Sequence, residues 1–173
     1  YEMTSGSTPL LFISSSSASA RSHCPPFSYS AAISACEKGG QWERALELLE
    51  EMKSSGIEPD VISYSATISA CEKGGQWEKA LALFEEMKRS GIEPNVISYN
   101  ATISACEKGR QWEKALELLE EMKSSGIEPT VISYSAAISA CEKGGQWKKA
   151  LALLEEIKRS GIEPNVISYS ATI

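Results

Sequence analysis

The chain has 173 residues, 42% of them hydrophobic, and a formal net charge of −6 at pH 7. This apolar content is enough to bury a core, and no apolar run approaches the roughly 18 residues that cross a membrane, so no membrane contact is expected. The acidic balance argues against strong non-specific binding to nucleic acid, because such binders usually carry a basic patch.

Residues 1–25 differ in character from the rest of the chain. They are rich in serine, contain one acid (Glu2) and one arginine (Arg21), and show no lasting periodicity. This composition predicts a disordered tail. An organellar transit peptide would share the serine content and the scarcity of acids, but it would contain more arginine. The tail is therefore either a targeting segment, a linker or the eroded end of an upstream repeat.

From residue 26 onward the sequence repeats every 35 residues. Full units span residues 26–60, 61–95, 96–130 and 131–165, and residues 166–173 begin a fifth. The interval is marked by cysteine at Cys36, Cys71, Cys106 and Cys141, by tryptophan at Trp42, Trp77, Trp112 and Trp147, and by proline at Pro59, Pro94, Pro129 and Pro164. A fixed period of this size predicts stacked units that share one continuous core.

Each unit begins with a predicted short helix. In the second unit, Tyr64, Ile68 and Cys71 fall at i, i+4 and i+7, which places them on one apolar stripe. Gly74 and Gly75 follow, and a glycine pair supplies the left-handed backbone on which many helices end.

A second, more amphipathic helix follows directly. Its apolar stripe repeats at i, i+3, i+4, i+7 and i+10 and consists of Trp77, Ala80, Leu81, Phe84 and Met87. Adjacent acids such as Glu85 and Glu86 are interpreted as a solvated face. Gly91 and Pro94 predict the end of this helix. Each unit is therefore a helical hairpin, and the fold class is all-α.

The repeated cysteines occupy equivalent places in successive hairpins. Packed helices lie roughly 8 to 10 Å apart, which is beyond the reach of a disulfide. No C-x-x-C pair is present. We therefore expect small buried core residues rather than a metal site, and we expect no cofactor.

A 35-residue hairpin with these motifs resembles the pentatricopeptide repeat family from Pro26 to Ile173. The motifs are the polar start of the first helix (Ser63 to Ser65, Ser98 to Asn100), the A-L-x-L-[FL]-x-x-M core of the second helix and the G-I-x-P exit. Tetratricopeptide arrays are the near alternative, but their period is 34 and their tryptophan lies early in the first helix. The resemblance implies an α-solenoid with a right-handed superhelix, a monomer that holds single-stranded RNA at one base per repeat.

In the family, the fifth and last residues of a repeat together read one base. The corresponding pairs are Ser30 with Asp60, Ser65 with Asn95, Asn100 with Thr130, and Ser135 with Asn165, while Ser170 has no partner in the partial unit. A carboxylate only accepts hydrogen bonds, which favours a base edge that donates, whereas an amide can donate and accept. Family usage adds guanine for the first pair, adenine for Ser with Asn, and cytosine before uracil for Asn100. The resemblance therefore implies the core G-A-[C/U]-A.

Two further sets of residues are candidates for contact with RNA. The residue three before each fifth-position reader is apolar, and in the family it wedges between bases: Phe27, Ile62, Ile97, Ile132 and Ile167. The alternative is that these are ordinary buried residues. A lysine near the end of each first helix could contact phosphate, or could simply be a favourable cation at a helix C-terminus: Lys38, Lys73, Lys108 and Lys143.

The expected function is sequence-specific binding of single-stranded RNA in the processing, stability or translation of organellar transcripts. The location would be a mitochondrion or plastid, otherwise the cytoplasm. An enzyme is not expected, because His23, the only histidine, lies in the tail and no nucleophile–histidine pair can form in the array. The alternative is an α-solenoid scaffold for a peptide or protein partner, which the acidic balance would suit if that partner were basic.

Overall fold

The computed structural model describes residues 26–171, except for the side chains of residues 26, 27 and 167. Within this range the chain is helical throughout, with short turns between helices. The helices are α1 (Pro26–Lys38), α2 (Trp42–Ser54), α3 (Val61–Lys73), α4 (Trp77–Arg89), α5 (Val96–Lys108), α6 (Trp112–Ser124), α7 (Val131–Lys143), α8 (Trp147–Arg159) and α9 (Val166–Ser170). The prediction for residues 1–25 lies outside the described residues.

The helix ends form where the sequence predicts them. Gly75 has a φ of 69°, and behind it the Gln76 N–H donates to the Cys71 carbonyl at 2.8 Å. Gly91 has a φ of 74°, and the Ile92 N–H donates to the Met87 carbonyl at 3.1 Å. Both arrangements are Schellman caps, which satisfy carbonyls that the helix leaves unpaired. The chain therefore reverses direction within three residues inside each hairpin and within six residues between hairpins.

The hairpins stack into an α-solenoid with two layers. The first helices pack directly against one another, α1 on α3, α3 on α5 and α5 on α7, and each second helix packs on its own first helix and on the next one. Tyr64, Ile68 and Cys71 are at most 1% exposed, which confirms the predicted stripe. The core is thus a continuous seam between repeats, so each hairpin depends on its neighbours for burial.

Tryptophan and glycine interlock across this seam. A Cβ atom on Gly74 would lie 2.3 Å from the Trp42 ring, and one on Gly109 would lie 2.4 Å from the Trp77 ring. Real Cβ atoms do not approach so closely, so the tryptophan that opens one second helix requires glycine at the end of the next first helix.

A polar ladder runs along the outer side of the seam. We call it the outer ladder; its members are Lys53, Lys88 and Lys123, Tyr64, Tyr99 and Tyr134, and Glu86, Glu121 and Glu156. The Tyr64 hydroxyl donates to Glu86 at 2.9 Å, and Lys53 of the preceding repeat pairs with the same carboxylate at 2.5 Å. Partial burial opposes ionisation of Glu86, but the hydrogen bonds from Lys53 and Tyr64 outweigh it and lower the pKa of the carboxyl.

The interpretation of the Glu85–Glu86 type of pair as a solvated face is therefore wrong for its second member. Glu85 is exposed, whereas Glu86 is only partly exposed and ties two repeats together. The sequence pattern could not show this, because the partners lie 22 and 33 residues away and meet only when the hairpins stack.

The four repeated cysteines are core residues, as predicted. Cys71, Cys106 and Cys141 are fully buried, Cys36 is partly buried, and all four are free thiols. Burial raises the pKa of Cys71 and of Cys106 to about 11, so both thiols are protonated at neutral pH. Between residues 26 and 171, no helix has the length and apolar character needed to cross a membrane.

Candidate nucleic-acid interface

The predicted reader pairs meet at the junctions between repeats. The last residue of each unit is the N-cap of the next first helix, so its side chain lies beside the N-terminal turn of the preceding first helix. We call this set of positions the junction row; it comprises Ser30, Asp60, Ser65, Asn95, Asn100, Thr130, Ser135 and Asn165. A serine three residues after each cap completes the junctions: Ser63, Ser98, Ser133 and Ser168.

At the first junction, Ser63 connects the two predicted readers. Its hydroxyl lies 2.9 Å from that of Ser30 and donates to Asp60 Oδ1 at 2.7 Å. The same carboxylate oxygen accepts the Ser63 backbone N–H at 2.8 Å, which is the N-cap bond. Asp60 Oδ2 takes no part in these bonds, so this junction presents a hydrogen-bond acceptor.

The second and fourth junctions present the opposite chemistry. Asn95 Oδ1 accepts the Ser98 N–H at 3.0 Å and the Ser65 hydroxyl at 3.5 Å. Asn165 Oδ1 likewise accepts the Ser135 hydroxyl at 3.0 Å. A cap must accept the helix N–H, which fixes the amide oxygen inward and leaves Nδ2 as the outward group. Although a free amide both donates and accepts, these two present a donor.

The third junction contains an asparagine on the helix and a threonine at the cap. Asn100 Nδ2 lies 3.4 Å from Thr130 Oγ1, and Ser133 donates its hydroxyl to Asn100 Oδ1 at 2.5 Å. Here the amide belongs to the fifth-position residue rather than to the cap.

The two members of a reader pair differ in accessibility. Ser30, Ser65 and Ser135 are only 5 to 8% exposed, whereas Asp60 is exposed and Asn95 is partly exposed. In the serine units, the cap side chain is therefore the group that a ligand can reach, and the serine hydroxyl supports it from behind. Ser170 is exposed at the end of α9.

Apolar side chains flank the junction row. Ile62, Ile97 and Ile132 are 56%, 61% and 57% exposed, so they are not the buried core residues of the alternative interpretation. Each stands three positions before a fifth-position reader and so shares its side of the helix. Their role as wedges stays a prediction. The side chains of Phe27 and Ile167 lie outside the described residues.

The candidate phosphate ligands are engaged in ion pairs along the first helices. Three of the four pair with a glutamate of the preceding repeat: Lys73 with Glu37 at 2.6 Å, Lys108 with Glu72 at 2.7 Å and Lys143 with Glu107 at 2.6 Å. Lys38, in the first unit, is exposed. The three paired lysines remain 40 to 46% exposed and could still reach a ligand. Because a phosphate would have to compete with the glutamate, their contribution to its binding is reduced.

Comparison with known families identifies the architecture. A profile described as "Pentatricopeptide repeat domain" matches residues 47–109 and 82–144, "PPR repeat" matches 27–57, and "PPR repeat family" matches 136–173. The chain belongs to the pentatricopeptide repeat family. The predicted all-α solenoid of helical hairpins is confirmed with it. The comparison with curated proteins gave no match.

Solved pentatricopeptide repeat structures have the same fold. Maize PPR10, in complex with an 18-nucleotide psaJ RNA element, matches with a TM-score of 0.74 and 28% identity over 86% of this chain. The chain spans 22% of the length of PPR10. The domain of Arabidopsis thaliana protein-only RNase P 1, solved in complex with tRNA, matches with a TM-score of 0.78 and 20% identity over 86% of this chain and 79% of that domain. At that identity the second likeness concerns the fold alone.

Sequence reasoning missed the four junction serines and their role. Their signal was present, because a serine follows every cap at the third position, where a side chain can return a hydrogen bond to the cap. What could not be predicted is that three of these hydroxyls, those of Ser63, Ser133 and Ser168, also reach the fifth-position side chain of the preceding repeat. That contact depends on the distance between adjacent first helices.

Proposed function

We propose that this pentatricopeptide repeat chain binds single-stranded RNA at one base per repeat and that its full units select the core G-A-[C/U]-A, read from the N-terminus as 5′ to 3′. The cellular role would be in the processing, stability or translation of transcripts in a mitochondrion or plastid. One observation carries the proposal: two small polar side chains, 30 residues apart in sequence, come together at three junctions directly and at the first through Ser63, and exposed isoleucines flank this row.

The junction row and the isoleucines supply the two kinds of contact that an unpaired base requires. Base faces stack on apolar side chains, and base edges are recognised by hydrogen bonds. A base held between Ile97 and Ile132 would turn its edge toward Asn100. The complex of PPR10 with RNA supports this arrangement, since that protein has the same repeat fold.

The outward atoms explain the proposed base order in part. Asp60 presents an acceptor, which suits the ring N–H and amino group of guanine. Asn95 and Asn165 present donors. A donor suits the ring nitrogen acceptor of adenine and disfavours any base that has a ring N–H at the same position. Chemistry alone would also admit uracil at the first base and cytosine at the second, so the choice between purine and pyrimidine comes from the family usage.

The charge distribution predicts selective rather than indiscriminate binding. The candidate phosphate lysines are paired with glutamates, and the net charge is −6. Binding by counterion release should therefore be weak, and discrimination by base contacts should dominate.

The test is the binding of fluorescently labelled RNAs, measured by anisotropy at two salt concentrations. A GACA-centred RNA should bind more tightly than permuted or fully changed cores. Asp60→Asn should shift the preferred first base from guanine to adenine by replacing the outward acceptor with a donor. Glu58→Gln removes the same charge from the same loop and should leave the preference unchanged.

Equal, salt-sensitive binding to every RNA would contradict base reading, because it would show contact with the RNA backbone alone. Absence of binding to any of the RNAs at concentrations where a basic peptide binds would instead favour the scaffold interpretation.

A further inference from the structure

The third junction uses its serine differently from the others. Ser133 is fully buried, its oxygen accepts the Thr130 N–H at 3.0 Å, and its hydroxyl hydrogen is directed to Asn100 Oδ1 at 2.5 Å. At the second junction, Ser98 instead donates to the backbone carbonyl of Asn95 at 2.8 Å. Only at the third junction, among those described, does this serine hold the amide of a fifth-position residue.

The contact fixes which way the Asn100 amide points. A separation of 2.5 Å lies at the short end of the range for O–H···O and is too short for N–H···O, so the amide oxygen faces Ser133. Nδ2 then lies on the other side, 3.4 Å from Thr130 Oγ1. One Nδ2 hydrogen is available to Thr130 and the second faces outward, so Asn100 is held as a hydrogen-bond donor.

With Nδ2 fixed outward, the Asn100 amide distinguishes cytosine from uracil. An amide that could rotate freely would accept both pyrimidines. Cytosine offers acceptors at ring N3 and at O2, whereas uracil places an N–H at N3 and would require an acceptor opposite it. An asparagine free to turn by 180° could satisfy either base.

We propose that Ser133 is a positioning residue that sets the preference of the third repeat for cytosine over uracil by holding the Asn100 amide in one orientation. The inference rests on the proposed RNA-binding function and deepens it. Because Ser133 is buried beneath Asn100, it acts through that side chain and does not contact the base itself.

The test compares GACA-centred and GAUA-centred RNAs in NMR titrations of the full chain, which detect weak binding. The wild type should prefer cytosine by about tenfold, within the usual range for one good base contact. Ser133→Ala should reduce this preference to about twofold or less, because the freed amide can turn its oxygen to uracil. Ser133→Thr retains a hydroxyl and should retain the preference.

Ser98→Ala is the matched control, since it removes the same group from the same helical position one repeat earlier, where no amide of a fifth-position residue is held. Its preference at the third base should equal that of the wild type. Asn100→Asp keeps Ser133 in place and replaces the outward donor by an acceptor, so it should reverse the preference to uracil. The side-chain amide signals of Asn100 should shift and broaden in Ser133→Ala before any RNA is added.

A cytosine preference that survives in Ser133→Ala would overturn the inference. An equal loss of affinity for both RNAs would do the same, because it would show a role in folding only. A wild-type preference for uracil would contradict the held donor while leaving base reading intact. Failure of the wild type to distinguish GACA from a fully changed core would refute the proposed function itself, and this inference with it.

Discussion

The outer ladder and the junction row recur with the same period, but the residue types are constant in the ladder and vary in the junction row. In the ladder, lysine, tyrosine and glutamate occupy the same places in successive repeats, as in Lys53, Tyr64 and Glu86. In the junction row, the cap changes from Asp60 to Asn95 to Thr130. Each ladder glutamate accepts from a tyrosine of its own repeat and pairs with a lysine of the preceding one, so the three positions depend on one another. The row can vary because its structural task, capping a helix, is performed by several residue types.

Under the proposed function, this difference lets a repeat protein change what it recognises without changing its fold. Aspartate, asparagine and threonine all cap helices, with free energies that differ by a few tenths of a kcal/mol. At Asp60 and Asn95 one side-chain oxygen accepts the helix N–H and faces inward, and the atom left outward differs. We therefore infer that stability depends on the seam and the ladder, and that ligand preference depends on the junction row.

Gly109→Ala is the single substitution expected to destabilise the packing between repeats most. The new Cβ would lie 2.4 Å from the Trp77 ring, so the tryptophan or the backbone must move, at a cost of about 1 to 3 kcal/mol in the free energy of unfolding. Gly39→Ala is the control, because its nearest neighbour would be 3.4 Å away. Urea denaturation measures both. Equal stability of the two variants would contradict the interlock.

Arg110→Gly should stabilise the array by about 1 kcal/mol. Arg110 has a φ of 57°, a left-handed backbone that the equivalent positions Gly40, Gly75 and Gly145 adopt without a Cβ penalty. Arg110→Ala removes the charge and keeps the strain, so it should change the stability little. Denaturation midpoints distinguish the two, and a gain in the alanine variant as large as in the glycine variant would attribute the effect to charge instead.

Glu86→Gln should weaken the outer ladder by about 0.5 kcal/mol at neutral pH, a small effect because the pair is partly exposed to solvent. The pKa of Glu86 in the folded chain is lowered from 4.5, so its stabilisation is present above pH 4.5 and is lost as the pH falls through the lower folded value. Wild type and variant should therefore converge in acid. The exposed neighbour Glu85→Gln should lie close to wild type throughout, and a pH-independent difference for Glu86→Gln would exclude the ion pair as its cause.

Much of the fold could be predicted from the sequence because its signals are local. The stripe of Tyr64, Ile68 and Cys71 follows from helical spacing, and the end of the second helix follows from Gly91 and its flanking residues. These features require only the geometry of one helix, and the recurrence of the pattern at 35 residues implied stacking.

What escaped prediction depends on the register between hairpins. The contact of Trp77 with Gly109 spans two repeats, and so does the pair of Glu86 with Lys53. The same holds for the candidate site: the resemblance named Asn100 and Thr130, but the buried Ser133 that connects them became visible only once the first helices were placed side by side. Sequence spacing within one helix contains no information about such distances.

The most direct test of the account is the exchange of two caps, Asp60→Asn combined with Asn95→Asp. Composition and net charge do not change, and both residues still cap their helices, so the stability should remain within about 0.5 kcal/mol of the wild type. The preferred RNA core should change from GACA to AGCA, with a reversal of about tenfold or more between the two in anisotropy titrations. An unchanged preference for GACA in a folded double variant would contradict the claim that the junction row selects the bases.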